Sequence, residues 1–440
     1  MTVGAEMEQL LEGAKRVLHG NDLGGWTKPA PNLYPHQWNW DSCFIAIGLS
    51  HLDTARAVTE IHSLLRGQWA NGMVPQIVFN PAGQGYFPGP DVWQSTRSPD
   101  APHDVMTSGI SQPPVLAIAC RAIFENAPPE HRDEAQRFLE WVYPRVMAYH
   151  RWLYRERNPD GNGLVVVLHP WEGGLDNSPV YLDAGSRVHL TYKPVYHRED
   201  TAHVSAQYRP TNKDYDLYVY LLEQMRADDW DQSRYLAHAP LQVQDILFNA
   251  ILCRADSDLA AIAEIIGENP SEAQRMGEET RAAINSQLWD ADRGMYLSRD
   301  RVADRLLTDA TIEGFMALYG NVAPEDRVRI LVDVHLTNPR QFWPAFPVPT
   351  TALDSPSFNP QNYWLGPVWV NTNWMIIRGL VDTGRTDRAA QLTADTLELV
   401  RRSGYREYYN PYDGAGYGTD NFSWTAALTV DLVTAVNASG

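Results

Sequence analysis

The sequence predicts an all-α fold: a toroid of inner and outer helices, the (α/α)6 barrel, with long loop excursions that carry short β-strands. Three observations predict it. About a dozen segments repeat their apolar residues with helical period. Short turns alternate with long connections rich in Trp, Tyr, Pro, Asn and Gly. No Gly/Ser linker, composition break or close repeat divides the chain, so residues 1–440 read as a single domain with excursions at about 70–111 and 157–212 over an active site.

The elements follow in order. An amphipathic helix is predicted over 5–18, and an apolar one begins at Cys43. Asp53 can cap the next, whose Ala55, Val58, Ile61, Leu64 and Leu65 share one face. Further helices read at 113–126, 131–156, 213–227, 242–266, 270–288, 309–319, 325–335, 363–383 and 422–437. One more starts at Thr386 and stops at Gly404, a residue suited to a helix C-terminus. Within the excursions, Val165 to Leu168 and Val188 to Tyr192 are strand-like.

Charge and composition exclude several classes. With 36 basic and 54 acidic side chains the net charge is −18, and such a surface repels nucleic acid. No window approaches the roughly 18 apolar residues of a membrane span, so no membrane partner is predicted. The start reads as an amphipathic helix instead of a secretory signal, which predicts a cytoplasmic location. Cys43, Cys120 and Cys253 are widely spaced among apolar neighbours and read as core residues. Neither a phosphate-binding glycine motif nor an HExxH or Cys/His cluster occurs, so neither a cofactor nor a metal is predicted. Asp228-Asp-Trp-Asp reads as a solvated helix end.

One compositional feature points to chemistry: 15 Trp and 21 Tyr outnumber 11 Phe. Trp and Tyr add a polar handle to a flat ring, which suits a pyranose with an apolar C–H face and a rim of hydroxyls. These residues concentrate in the loops. Tyr34-Pro-His-Gln-Trp-Asn-Trp-Asp-Ser sets three large rings before Asp41, which either accepts sugar hydroxyls or caps the following helix. His169-Pro-Trp-Glu-Gly-Gly-Leu-Asp-Asn-Ser-Pro offers Glu172 and Asp176 beside Trp171, and its glycines let backbone approach a ligand. An aromatic, partly dry setting raises a carboxyl pKa, as a general acid requires, although Asp-Asn-Ser-Pro is also ordinary turn chemistry. Tyr405-Arg-Glu-Tyr-Tyr-Asn-Pro-Tyr-Asp supplies Glu407 as a second carboxylate, with Arg406 free to pair with it or with Asp413. Trp364, Trp369 and Trp374 do not share one helical stripe, so some should face a loop-built cavity.

Taken in order, WNWDS, NGMVPQIVFNP, SGISQPP, HPWEGGLDNSP, YRPTNKDYD, LWDADRGMYL, NYWLGPVWVNTNW and REYYNP…GYG…FSWTA resemble glycoside hydrolase family 63, from about Tyr34 to Ala426. Lacking an extra β-domain, the chain looks like the short bacterial members that hydrolyse mannosylglycerate and glucosylglycerate, with glucosylglycerate, cleaved to glucose and glycerate, as the favoured substrate. The resemblance implies an inverting mechanism with Asp176 as general acid and Glu407 as general base. Such carboxyls stand about 6.5 to 9.5 Å apart to admit a water. It also implies that Trp38, Trp40, Asp41, Gln112, Trp171, Gly174, Trp364 and Trp369 hold the sugar, with Tyr34 and Tyr363 at the rim.

A small anionic glycoside entering so acidic a protein needs a local cation. Arg209 lies in a long loop where it can clamp the aglycone carboxylate or pair with Asp214 or another acid, and Tyr215 and Tyr86 can add hydroxyl donors. The alternatives are a mannosylglycerate hydrolase, an α-glucosidase acting on short oligosaccharides, a sugar epimerase or isomerase, and a non-catalytic carbohydrate binder. An epimerase typically needs paired cavity histidines, and only His36 and His169 adjoin the carboxylate loops. A homo-oligomer is left open.

Overall fold

A computed structural model describes residues 3–439. Its main helices are α1 (Val3–Asn21), α2 (Asn39–Ser50), α3 (Thr54–Leu65), α4 (Leu116–Asn126), α5 (Arg132–Glu156) and α6 (Asn212–Ala227). They continue with α7 (Ile246–Ile266), α8 (Ser271–Gln287), α9 (Met316–Tyr319), α10 (Glu325–Arg329), α11 (Val370–Asp382), α12 (Thr386–Ser403) and α13 (Ser423–Ser439). The chain is mostly helical, and strands are confined to two-residue pieces.

Among the described residues, α2, α4, α7, α9, α11 and α13 pack in succession, and α13 returns to α2, so the six close a ring. Their composition explains the position. All twelve residues of α2 are buried, as expected of a helix surrounded by protein on every side. Helices outside the ring are amphipathic instead: α3 buries Ala57, Val58, Ile61, Leu64 and Leu65 against α2, while α1, α5, α8 and α12 lie on α13, α4, α7 and α11. Local signals fix the ends. Asp53 accepts a hydrogen bond from the Arg56 amide at 3.0 Å, and Gly404 follows α12 with φ of +74°.

The N-terminal ends of α2, α11 and α13 meet at one mouth of the ring, and the long connections fold over that mouth. Two small antiparallel pairs anchor them. Gln37 and Trp38 pair with Val78 and Ile77, and Tyr408 and Tyr409 pair with Tyr417 and Gly416.

Several boundaries differ from the sequence expectation. The segment 363–369 is loop, because Pro367 interrupts a helix running from Tyr363 and Val368 is held extended by bridges to Pro349 and Tyr409, so α11 starts at Val370. The helix expected from 242 begins at Ile246, after Val243–Gln244 pairs with Arg299–Asp300. Of the strand-like runs, Val165 to Leu168 forms a single bridge, Val167 to Val243, and Val188 to Tyr192 forms none. Cys43, Cys120 and Cys253 are buried and unpaired with one another. No helix among the described residues is long and apolar enough to cross a membrane.

Candidate active site

One cavity occupies the mouth of the ring. Asp176 and Glu407 both line it, although 231 positions separate them in the chain. The same wall holds Tyr34, Trp38, Trp40, Asp41, Tyr86, Gln112, Trp171, Gly174, Arg209, Tyr215, Tyr363, Trp364 and Trp369, so the structure brings these sequence-predicted residues to one place.

The two carboxyls sit in opposite settings. Among the described residues no other side chain hydrogen-bonds the Asp176 carboxyl, which the cavity leaves partly accessible. Burial pushes its pKa up to about 7, against the opposing charge of Arg209 and with help from Glu407. Glu407 is held on both oxygens. Tyr34 Oη donates to Oε1 at 2.6 Å, Arg209 Nη1 stands 3.5 Å from the same oxygen, and the Thr419 amide donates to Oε2 at 3.1 Å. Burial still leaves its pKa raised, but Arg209, Tyr34 and Thr419 oppose that rise. The Gly-Tyr-Gly turn makes this possible: Gly418 has φ of +68°, and a Cβ there would collide with Glu407 Oε2.

Arg209 is the hub of the charged wall. Its Nε donates to Asp200 at 3.1 Å, its Nη1 donates to Tyr34 Oη at 3.0 Å, and its guanidinium lies 4.3 Å from the Tyr363 ring centre. Nη2 makes no hydrogen bond to the described residues and is not sealed from the cavity. Asp200 also takes two hydrogen bonds from Arg198, and the two arginines outweigh its burial, so its pKa falls. Tyr86 and Tyr215 likewise keep hydroxyls without hydrogen bonds to the described residues. Arg209 therefore pairs with Asp200 instead of Asp214, which is spent in a capping box with Thr211 at the start of α6.

The aromatic wall is built from helix starts. Trp40 and Asp41 occupy the first turn of α2, and Trp369 precedes α11. Trp364 stacks on Trp369 at 3.6 Å and 7°. The backbone turns at Gly174, φ +82°, where a Cβ would lie 2.7 Å from the Trp40 ring. Asp41 makes no cap and no side-chain hydrogen bond to the described residues; burial raises its pKa well above the carboxylate range. Gln112 Oε1 accepts from the Trp40 amide at 3.3 Å.

Other sequence candidates lie elsewhere. Glu172 faces away from the cavity into a buried pair with Arg157 at 2.6 Å, and it also accepts from the Leu168 amide at 2.9 Å. Asp413 is exposed and accepts from the Ala415 amide, while Arg406 donates to the Ser403 carbonyl and pairs with neither acid. Trp374 is a core residue bonded to Asp431. Trp424, Gln76, Phe87, Phe422 and Asp200 join the wall without having been singled out as site residues. The FSWTA and NGMVPQIVFNP segments contain Trp424 and Gln76, whereas Asp200 lies in the polar run His197-Arg198-Glu199-Asp200-Thr201, which carries none of the aromatic signal of the other site loops.

The family model described as mannosylglycerate hydrolase MGH1-like glycoside hydrolase domain matches residues 34–425. The chain belongs to this family. It is a glycoside hydrolase of family 63. Mannosylglycerate hydrolase of Rubrobacter radiotolerans is 42% identical over 98% of both chains. Glucosylglycerate hydrolase of Mycolicibacterium hassiacum is 37% identical over 96% of this chain and 97% of that one. The crystal structure of GH63 mannosylglycerate hydrolase from Thermus thermophilus in complex with Tris and D-glycerate superposes with a TM-score of 0.90, at 40% identity, covering 96% of this chain and 99% of that one.

Proposed function

We propose that the chain is a single (α/α)6 domain that hydrolyses a small α-glycoside of glycerate with inversion. The observation that carries this reading is the contrast between Asp176 and Glu407 in one aromatic cavity beside Arg209. Asp176, with its pKa pushed up to about 7, keeps a proton for the leaving oxygen. Glu407, stabilised as a carboxylate by Tyr34 and Arg209, takes one from water. The water oxygen bonds to the anomeric carbon as the bond to the glycerate oxygen breaks. One water proton passes to Glu407, and the Asp176 proton passes to glycerate. An α-glycoside thus yields a β-sugar.

Arg209 Nη2, Tyr86 and Tyr215 supply donors for the aglycone carboxylate. The ring of six inner helices, with α1, α3, α5, α8 and α12 outside, supports the barrel assignment. The sugar is read as mannose first, because relatives at 42% and 41% identity carry the name mannosylglycerate hydrolase. Glucose is the second reading, favoured by the relative at 37%. An epimerase is disfavoured, since neither His36 nor His169 lines the cavity; His169 is tied at both nitrogens, to the Tyr218 carbonyl and the Trp171 amide.

Proton NMR of the purified protein with mannosylglycerate and glucosylglycerate in parallel tests the reading. The expected result is a faster rate on mannosylglycerate and the β-anomer as first product. First-formed α-anomer, or cleavage of neither compound, would overturn it. Asp176→Asn and Glu407→Gln should each lower kcat by about 10³-fold or more while substrate still binds, which a carbohydrate binder would not predict.

A further inference from the structure

The mechanism leaves a buried pair of amides unused. Asn177 follows Asp176 directly and is 1% exposed; Asn362 precedes Tyr363 and is 9% exposed. Asn177 Oδ1 accepts from the Trp364 amide at 3.0 Å, and Asn177 Nδ2 donates to Asn362 Oδ1 at 2.8 Å. Asn362 Nδ2 in turn donates to the carbonyls of Gln207 at 3.0 Å and Arg209 at 3.2 Å. The backbone partners fix both amide orientations: Trp364 offers only N–H, and the two carbonyls only accept. Between these bonds Tyr363 is held at φ of +40°, a conformation that a bulky residue adopts only when its surroundings impose it.

Three loops therefore converge on two side chains. One carries Asp176, the second carries the Tyr363 and Trp364 rings, and the third carries Arg209. We infer that Asn177 and Asn362 are positioning residues that set the acid-bearing loop and the arginine-bearing loop in register across the sugar platform. Neither lines the cavity, and the inference rests on the roles assigned above to Asp176 and Arg209. A general acid is useful only within hydrogen-bond reach of its oxygen, so a loosened loop loses rate without losing the sugar site.

The test compares two leaving groups on the same sugar. In a glycerate glycoside the leaving glycerate oxygen needs a proton, whereas fluoride leaves an α-glycosyl fluoride with far less help, and that substrate has no carboxylate. Asn177→Ala should lower kcat on the glycerate glycoside about 100-fold and on the fluoride less than about threefold. Asn362→Ala should raise KM for the glycerate glycoside about tenfold and leave KM for the fluoride unchanged, because only the first carries a carboxylate for Arg209 to bind. Fluoride hydrolysis also reports that each variant is folded, and the second variant serves if the first does not fold. Equal losses on both substrates, or no loss on either, would overturn the inference. The underlying reading fails separately, if Asp176→Asn keeps wild-type hydrolysis of the glycerate glycoside.

Discussion

Tyr34 and Glu407 stand 373 positions apart in the chain, yet the Tyr34 hydroxyl donates to Glu407 Oε1 at 2.6 Å, and Arg209 Nη1 donates to that hydroxyl in turn. The phenol thus carries the positive influence of a guanidinium onto the carboxylate proposed as the base. Removing it leaves burial less opposed, so the pKa of Glu407 rises further. A base works in its ionised form, so the acid limb of the rate profile moves to higher pH. Tyr34→Phe should lose about tenfold in kcat/KM on the acid side and less than about threefold at the optimum. A profile whose acid limb stays in place would remove Tyr34 from the control of the base.

As the proposed acid, Asp176 works in its protonated form, and its pKa is pushed up to about 7, so activity should fall as pH rises through about 7. Arg209 lowers the pKa of both carboxyls against their burial. Arg209→Gln should therefore move both limbs upward together, in addition to weakening glycerate binding. The pH dependence of kcat/KM, measured for both proteins on the same substrate, checks the sign. Limbs that move in opposite directions contradict the shared role.

Much of this arrangement was legible in the sequence. Aromatic residues beside carboxylates flagged the loops around Trp38, Trp171, Trp364 and Glu407, and all four of these residues line the cavity, although Glu172 beside Trp171 does not. Helix starts marked by Asp53 and stops marked by Gly404 were legible because caps are local. What escaped were partners fixed only by the tertiary fold. Arg209 chooses Asp200 over Asp214 because the latter is already bonded at its own helix N-terminus. The run Val188 to Tyr192 has strand composition but meets no partner, and a strand exists only as half of a pair.

Glu172 shows how a motif acid can be structural. Four residues before Asp176, it forms a buried, two-point pair with Arg157 and bonds the Leu168 amide. Removing one partner of such a pair strands the other charge, at a cost of about 3–5 kcal/mol. Glu172→Ala should lower stability by that order in urea denaturation. A large loss in kcat with no loss in stability would instead make Glu172 part of the reaction.

Asp431 holds the opposite region of the ring together. It bonds His51 at 2.9 Å and the Trp374 indole at 2.7 Å, and it accepts from Arg378, so α2, α11 and α13 share one carboxylate. Burial alone would raise its pKa, but these partners outweigh burial and lower it to about 2. A depressed folded-state pKa stabilises the protein above the unfolded value and loses that stability as pH falls from about 4 to about 2. Its contribution at neutral pH is about 2 kcal/mol. Asp431→Asn should lower the urea midpoint at pH 7, and the gap to wild type should close below pH 4. A gap independent of pH would assign the loss to packing.

Gly174 tests whether the sugar site depends on backbone approach. Its φ of +82° is strained for any side chain, and a Cβ there would stand 2.7 Å from the Trp40 indole. That indole cannot retreat freely, because Phe44, Trp364 and Trp424 surround it at ring-centre distances of 5.7, 6.4 and 5.3 Å. Gly174→Ala therefore displaces either the loop leading to Asp176 or the sugar-facing ring. Both routes damage the cavity, but they differ in kinetics: a displaced ring raises KM, and a displaced loop lowers kcat. Because Trp40 is wedged by three aromatic neighbours, whereas the loop is held past Gly174 by single hydrogen bonds, from Tyr218 Oη to the Asp176 carbonyl and through the Asn177 side chain, the loop should yield. The expected outcome is a fall in kcat of about tenfold or more on glycerate glycosides with KM nearly unchanged, and a rise in KM alone would place the movement in Trp40 instead.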